Sequence, residues 1–307
     1  MHLLSTRDIT KESIFKIFNR AAAFQNILLH YKSRPAPPEH QKILANLFYE
    51  PSTRTSSSFF SAMTRLGHTV LPINEVKYSS VTKGETLEDT IRTISKYVDV
   101  IALRHPDEGA AVRAAKVSGV PIINAGDGTG EHPTQTLLDF YTIWKKFYSQ
   151  GIDIDKLTVT LMGDLKNGRT IHSLLHILKL YNMKIHLVSP PDMELPSPIF
   201  DDIDKSGNDE GNRIIESTSL TDDICKETDV LYVTRVQKER GSVGSYELTN
   251  ENVSLFKENM MVMHPLPRNE EIPKWFDNDR RAFYFKQIEN GLFIRMAILE
   301  GILNHDA

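Results

Sequence analysis

The clearest capacity for chemistry in this sequence lies in a short run of hydrogen-bond donors: Ser52, Thr53, Arg54 and Thr55. An apolar run at 43–49, short enough to be a buried strand, precedes it and is ended by Pro51. Apolar residues at helical spacing follow, so the donors lie at the start of a helix. A helix start offers free backbone N–H groups and the positive end of the helix dipole. The sequence therefore predicts a turn that binds a phosphate.

The alternative for this stretch is an ordinary helix cap with a solvated arginine, which is common for a lone Ser-Thr pair. Four consecutive donors after a buried strand favour the phosphate site. The stretch has neither a Gly-x-x-x-x-Gly-Lys nor a Gly-x-Gly-x-x-Gly motif, which argues against both familiar nucleotide-binding loops.

Polar clusters also follow other predicted strands. The six clusters cover 52–55, 104–106, 126–135, 164–170, 234–237 and 264–268. Open α/β sheets bind ligands beyond the carboxyl ends of their strands, so we expect the clusters to converge on one cleft between two domains. Four arginines belong to them: Arg54, Arg104, Arg169 and Arg235. One such arginine alone is typical of a surface ion pair, but together they predict a site for two substrates with several negative charges.

Two residues in a glycine-rich turn are candidates for carbonyl and amide recognition. His132 precedes a predicted helix, where it can cap the helix or donate to a carbonyl oxygen that gains negative charge. Gln135 can both donate and accept, as recognition of an amide-like group requires. Lys83, close to Ser79 in an exposed polar loop, is typical of a solvated lysine or of a lid that reaches over a site.

The segment 264–268 carries two prolines and predicts a rigid turn. The carbonyl groups of Leu266 and Pro267 would then face the cleft. A purely structural turn would have the same sequence.

Strands and helices must position these residues, and the apolar pattern predicts an alternation of both. Predicted strands cover 43–49, 69–73, 98–103, 121–124, 157–162, 184–188, 213–215, 230–233 and 260–263. Predicted helices cover 10–31, 54–66, 86–97, 109–118, 134–148, 169–181, 220–228 and 292–303. This alternation implies parallel sheets flanked by helices. We expect two α/β domains, residues 1–150 with a returning C-terminal helix at about 288–307, and residues 151–287.

Composition narrows the function classes. With a net charge of -4, the chain has no overall positive charge that would attract nucleic acid or an anionic membrane. Local arginines must therefore attract any anionic substrate. The single cysteine, Cys225, excludes an internal disulfide, and no signal-peptide core or membrane-spanning run is present, so we expect a cytoplasmic protein. No hydrolase or metal motif is found, and we expect neither a metal nor a cofactor.

Seven motifs along the chain carry a resemblance to one enzyme family and occur in that family's order. They cover 52–56, 79–87, 103–106, 130–135, 163–170, 234–240 and 264–268. With them the chain resembles the aspartate carbamoyltransferase family over nearly its whole length. The sister ornithine family is similar at Ser-Thr-Arg-Thr, but it typically has His-Cys-Leu-Pro at 264–267 and lacks the loop with Lys83. Glu131 stands where many bacterial relatives have glutamine. This looks like the eukaryotic form, which is often one part of a larger pyrimidine-pathway polypeptide.

The resemblance implies transfer of a carbamoyl group from carbamoyl phosphate to the amino group of L-aspartate, in pyrimidine synthesis. It implies that Ser52, Thr53, Arg54 and Thr55 hold the phosphate, and that Thr55, Arg104 and His132 face the carbonyl oxygen. Gln135 and the carbonyls of Leu266 and Pro267 would hold the carbamoyl amine. Arg169, Arg235 and Gln237 would take the aspartate carboxylates. The family is a homotrimer in which the equivalents of Ser79 and Lys83 enter the neighbour's site, with Lys83 close to both substrates.

These roles agree with the chemistry, because an amine that attacks a carbonyl creates an oxyanion and fixed donors stabilise it. Two alternatives stay open at this point. One is a carbamoyltransferase for another amine such as ornithine, although Arg169, Arg235 and Gln237 suit a dicarboxylate and a cationic acceptor would need an acid there. The other is a non-catalytic relative that only binds anions.

Overall fold

The structure is a computed structural model that describes residues 2–73, 84–204, 213–235 and 247–304. The chain divides into two compact units, Met1–Tyr141 with Glu289–Ala307, and Thr142–Ile288. Three predicted site residues, Ser79, Lys83 and Gln237, lie outside the described residues.

The first unit is built on four strands: β1 (Ile43–Phe48), β2 (Thr69–Ile73), β3 (Val100–His105) and β4 (Ile122–Asp127). They form a parallel sheet in the order β2-β1-β3-β4. Its helices are α1 (Lys11–Gln25) with a π-helical turn at Asn26–His30, α2 (Thr53–Arg65), α3 (Leu87–Ile94) and α4 (Ala110–Val117). It also contains α5 (Pro133–Tyr148) as far as Tyr141 and α10 (Tyr284–Leu303) from Glu289 onward.

The second unit contains five strands: β5 (Thr158–Met162), β6 (Lys184–Val188), β7 (Arg213–Ser217), β8 (Val230–Val233) and β9 (Met261–Met263). All neighbours are parallel, in the order β7-β6-β5-β8-β9. Its short helices are α6 (Arg169–Leu178), α7 (Ser197–Asp204), α8 (Asp222–Glu227) and α9 (Asn250–Leu255).

The central strands are near-continuous apolar sequences because helices cover both faces of each sheet. Every residue of β5 is buried, and so is every residue of β8. Parallel sheets in α/β proteins show this pattern. Several helices begin at a threonine whose hydroxyl accepts from a first-turn amide: Thr10, Thr86, Thr221 and Thr249. These caps fix where the helices start, and therefore where the preceding loops end.

The predicted fold class, two α/β domains with a parallel sheet in each, is confirmed. Two short helices were not predicted. α7 contains Pro198 in its first turn, where proline is tolerated. Pattern alone favours a loop here, because Pro196 and Pro198 lie two residues apart. α9 is only six residues long and is held by a capping box between Thr249 and Asn252. The last helix begins at Tyr284 instead of Leu292.

In the described part of the chain, no helix has both the length and the apolar character to span a membrane.

Candidate active site

The predicted phosphate turn lies where β1 gives way to α2. Ser52 is the N-cap residue of α2, yet its side chain does not cap the helix, unlike the threonines that cap α1 and α3. Thr55 is 7% exposed, within the first turn. Asn46 on β1 donates to the backbone oxygen of Ser56 at 3.0 Å and to its hydroxyl at 2.9 Å. Strand and helix are thereby held together, so the amides at the helix start keep a fixed direction.

Arg104 lies beside this turn, at the end of the neighbouring strand. It is paired in register with Phe48, and its carbonyl accepts from the amide of Tyr49 at 2.9 Å. The Arg104 guanidinium donates from Nε to Glu50 Oε2 at 3.2 Å. β3 extends to His105, so Arg104 belongs to the strand instead of following it as predicted.

The charges of Arg54 and Arg104 interact. Burial lowers the pKa of Arg54, and the positive charge of Arg104 lowers it further. Burial also lowers the pKa of Arg104, while Glu50 acts in the opposite direction. Two neighbouring cations at a helix start stabilise a bound anion, because the anion relieves both their repulsion and their loss of solvation. The structure therefore brings Arg54 and Arg104 together as predicted.

His132 stands at the start of α5 and is 4% exposed. Its carbonyl accepts from the amides of Gln135 at 2.9 Å and Thr136 at 3.1 Å, so it occupies the cap position. The preceding turn is shaped by Asp127, whose carboxylate accepts from the amides of Glu131 at 2.9 Å and Gly109 at 3.0 Å. Burial raises the pKa of Asp127, and these hydrogen bonds oppose that rise.

A second carboxylate fixes the same turn from its other side. Glu131 accepts from Ser5 Oγ at 2.6 Å and from the amide of Thr6 at 2.6 Å. Gly128 must remain a glycine here, because its φ is +49° and a Cβ would overlap the carbonyl of Pro106. The backbone that carries His132 is thus tied to the N-terminal segment and to the loop after β3.

In the second unit, two predicted arginines follow neighbouring strands. Arg169 is the first residue of α6, and Asn167 in the loop before it donates its amide to Asp164 Oδ1 at 2.9 Å. Arg235 follows β8, where the amide of Thr234 donates to the carbonyl of Met162 at 2.8 Å. Both arginines are half-buried. Since β5 and β8 are adjacent in the sheet, both arginines lie at the same edge of it.

The turn 264–268 follows β9, the next strand of that sheet. His264 Nδ1 accepts from the amide of Leu266 at 2.8 Å, and its Nε2 lies 2.9 Å from Glu271 Oε1. Since Nδ1 accepts, Nε2 carries the proton and donates. Burial alone would raise the pKa of Glu271, but hydrogen bonds from His264 and the Asn269 amide hold it below its ordinary value.

Arg268 at the end of this turn has a structural role. Its Nη2 donates to Asp277 Oδ2 at 2.6 Å, and Nη1 donates to Tyr284 Oη at 2.9 Å. Leu266 has a positive φ of 52°, and the Leu266–Pro267 peptide bond is cis. Side-chain hydrogen bonds at His264 and Arg268 therefore hold the predicted turn, in addition to its two prolines.

Each sheet thus gathers its predicted residues at the carboxyl ends of three adjacent strands. In the first unit these strands are β1, β3 and β4, and in the second they are β5, β8 and β9. The convergence of both sets on one cleft stays a prediction. Sequence reasoning missed the roles of the carboxylates that hold the backbone and side chains around these residues: Glu50, Asp127, Glu131 and Glu271. Position is the signal that the sequence offers for two of them: Asp127 lies inside the cluster 126–135, and Glu50 lies two residues before the cluster 52–55.

The fold and these strand ends define a class of protein, a two-unit α/β protein with arginines near the carboxyl ends of its parallel strands. A family model described as the aspartate/ornithine carbamoyltransferase carbamoyl-P binding domain matches residues 1–145. The model of the Asp/Orn binding domain of the same family matches residues 155–302. The chain belongs to the aspartate/ornithine carbamoyltransferase family.

Individual relatives agree with this assignment. The chain is 47% identical to the aspartate carbamoyltransferase catalytic subunit of Methanocaldococcus jannaschii, over 98% of this chain and 97% of that one. It is 46% identical to the catalytic subunit of Archaeoglobus fulgidus, over 98% and 99% of the two chains. Among solved structures, aspartate transcarbamoylase from Trypanosoma cruzi in complex with carbamoyl aspartate and phosphate superposes with a TM-score of 0.91 at 40% identity, covering 98% and 95%. The predicted resemblance is confirmed.

Proposed function

We propose that this chain transfers the carbamoyl group of carbamoyl phosphate to the amino group of L-aspartate, giving N-carbamoyl-L-aspartate and phosphate. The observation that carries the proposal is the pair Arg54 and Arg104, two interacting cations, one in the first turn of α2 and one at the end of the adjacent strand β3. The T. cruzi relative has been solved with carbamoyl phosphate and aspartate and is 39% identical to this chain, which supports the same pair of substrates here.

The first unit suits carbamoyl phosphate. Ser52, Thr53, Arg54 and Thr55 offer hydroxyls, amides and a guanidinium to the phosphate group. Arg104 and His132 would donate to the carbonyl oxygen, where negative charge grows in the transition state. Glu50 holds the Arg104 guanidinium, and the His132 backbone is fixed as the cap of α5, so little reorganisation is needed when the charge develops.

The second unit carries the residues that would bind the acceptor, L-aspartate. Arg169 and Arg235 would pair with the two carboxylates of aspartate, and Gln237 would assist them. The aspartate nitrogen forms a bond to the carbonyl carbon and gives up a proton, which the departing phosphate takes. The bond from that carbon to the phosphate oxygen breaks, and phosphate leaves with its electron pair. The enzyme needs no nucleophile of its own, so holding both substrates in contact accounts for much of the acceleration.

The decisive test is phosphate release from carbamoyl phosphate by the purified chain. Release that depends on L-aspartate, and that L-ornithine does not replace, is expected. Release with ornithine alone would assign another acceptor. Binding of carbamoyl phosphate with no turnover of either amino acid would make the chain a non-catalytic relative.

We also propose a cytoplasmic homotrimer that serves pyrimidine synthesis and shares its active sites, with Ser79 and Lys83 reaching the neighbouring subunit. The test mixes inactive Arg54→Ala and Lys83→Ala chains under conditions of subunit exchange. Activity should return, because a hybrid interface then pairs two intact halves. If labelled subunits exchange and no activity returns, Lys83 acts within its own chain.

A further inference from the structure

A buried charge pair lies beneath the predicted carbamoyl site of the first unit. Asp139 on α5 is 0% exposed, and Arg295 on α10 is 4% exposed. The negative charge of Asp139 acts on the guanidinium of Arg295 and favours its charged form against the effect of burial. Charges this deep in a protein are rare unless they are paired.

Arg295 also joins the two helices whose first turns form the site. Its Nη1 donates to Ser58 Oγ on α2 at 3.0 Å, and its Nη2 donates to Thr134 Oγ1 on α5 at 3.4 Å. The guanidinium lies over the ring of Phe59, 5.2 Å from its centroid. The cation therefore fixes the starts of α2 and α5 relative to one another.

Asp139 in turn holds the side chain of Gln135, one helical turn earlier. Gln135 Nε2 donates to Asp139 Oδ1 at 2.8 Å. A carboxylate can only accept hydrogen bonds, so it selects the NH₂ side of the Gln135 amide. The carbonyl oxygen Oε1 is then the group that Gln135 presents to anything else, and it is an acceptor.

We propose that Asp139 and Arg295 are positioning residues that fix the orientation of the Gln135 amide, so that the site selects an acyl phosphate with N–H groups on its acyl carbon. The proposal rests on the proposed function, because it takes Gln135 to contact the amine of carbamoyl phosphate. A carbamoyl group donates to Gln135 Oε1. The methyl group of acetyl phosphate has the same place and similar size, but it cannot donate.

The substitution Asp139→Asn tests this directly. The amide oxygen of the new side chain is attracted to the Arg295 guanidinium, which turns its NH₂ toward Gln135. Gln135 must then reverse, and it faces the substrate amine with its own NH₂. We expect kcat/KM for carbamoyl phosphate to fall about 10- to 100-fold, the effect of leaving buried donors unpaired. With acetyl phosphate as the donor, kcat/KM should change much less, by less than about threefold.

Both donors are assayed with L-aspartate, and the readout is the ratio of the two kcat/KM values. A merely loosened helix would lower both values together and leave the ratio unchanged, which would overturn the proposal. In a Gln135→Ala background, Asp139→Asn should no longer change the ratio; a change of the same size there would also overturn it. Asp8→Asn, an exposed site, is the matched control.

Asp139→Asn leaves the Arg295 cation without its partner, which can prevent folding. In that case the double variant Asp139→Asn/Arg295→Leu removes both buried charges. It leaves an amide that can present either group to Gln135, so about half of the chains hold Gln135 reversed and the ratio should fall about twofold. An unchanged ratio in a folded double variant would overturn the proposal. If the wild-type chain releases no phosphate with carbamoyl phosphate and aspartate, the proposed function itself is wrong.

Discussion

Gly163→Ala should damage the aspartate side of the site through a steric effect that the structure defines. Gly163 follows β5 and has a φ of +124°, a conformation that residues with a Cβ rarely adopt. A Cβ here would overlap the carbonyl oxygen of Thr234 and would lie 2.7 Å from its hydroxyl oxygen. Thr234 is hydrogen-bonded to the end of β5 and immediately precedes Arg235. The methyl group therefore has to displace the segment that carries this arginine.

The expected cost has two parts. The strained backbone costs about 1–3 kcal/mol, and forcing an extra carbon into a packed position costs about 1–3 kcal/mol more. The free energy of unfolding, measured in urea, should therefore fall by about 2–6 kcal/mol. Gly151→Ala is the matched control: its φ is +69°, but a Cβ there meets no atom within 4 Å. It should cost only about 1–2 kcal/mol, the penalty of a left-handed alanine.

Kinetics then separate the position of Arg235 from general stability. Well below the melting temperature, Gly163→Ala should raise KM for L-aspartate more than KM for carbamoyl phosphate. A displacement of about 1 Å can cost up to about 10²-fold in rate. Gly151→Ala should leave both constants close to wild type. Equal destabilisation by the two variants, or equal changes in the two KM values for Gly163→Ala, would refute the steric reasoning.

Three further predictions follow from the site and its supports. Arg54→Ala should lower kcat by about 10²- to 10³-fold, whereas Arg65→Ala on the exposed end of the same helix should not; equal losses would remove Arg54 from the site. Glu131→Ala should lower the free energy of unfolding in urea by about 2–3 kcal/mol, because the hydrogen bonds to Thr6 and its neighbour are lost. Burial lowers the pKa of Lys146 to about 8, so the unfolded chain binds the extra proton between about pH 8 and 10.5 and the folded chain gains stability as pH rises. The stability of wild type relative to Lys146→Met should therefore increase across that interval, and a difference independent of pH would contradict the burial of the charge.

The strands and the helix starts were predictable because their physical causes are local. The run at 43–49 is apolar except for Asn46, and the donors 52–55 follow closely, so both the strand and the predicted anion site follow from short-range pattern. The order of strands was not predictable in the same way. That β1 lies between β2 and β3, and β8 beside β5, results from packing between residues far apart in the chain.

The supporting carboxylates and Arg295 escaped sequence reasoning for a different reason. Periodicity assigns a charged residue to the solvent-exposed face of a helix, so the apolar spacing of the last helix gives no signal for a buried Arg295. Yet the residues on both sides of it, Phe293, Ile294 and Met296, are apolar and buried, so the helix is apolar around its whole circumference here. A single charge inside such a run indicates a buried, paired cation. Its partner, Asp139, cannot be found from pattern, because the pairing depends on two helices that only the folded chain brings together.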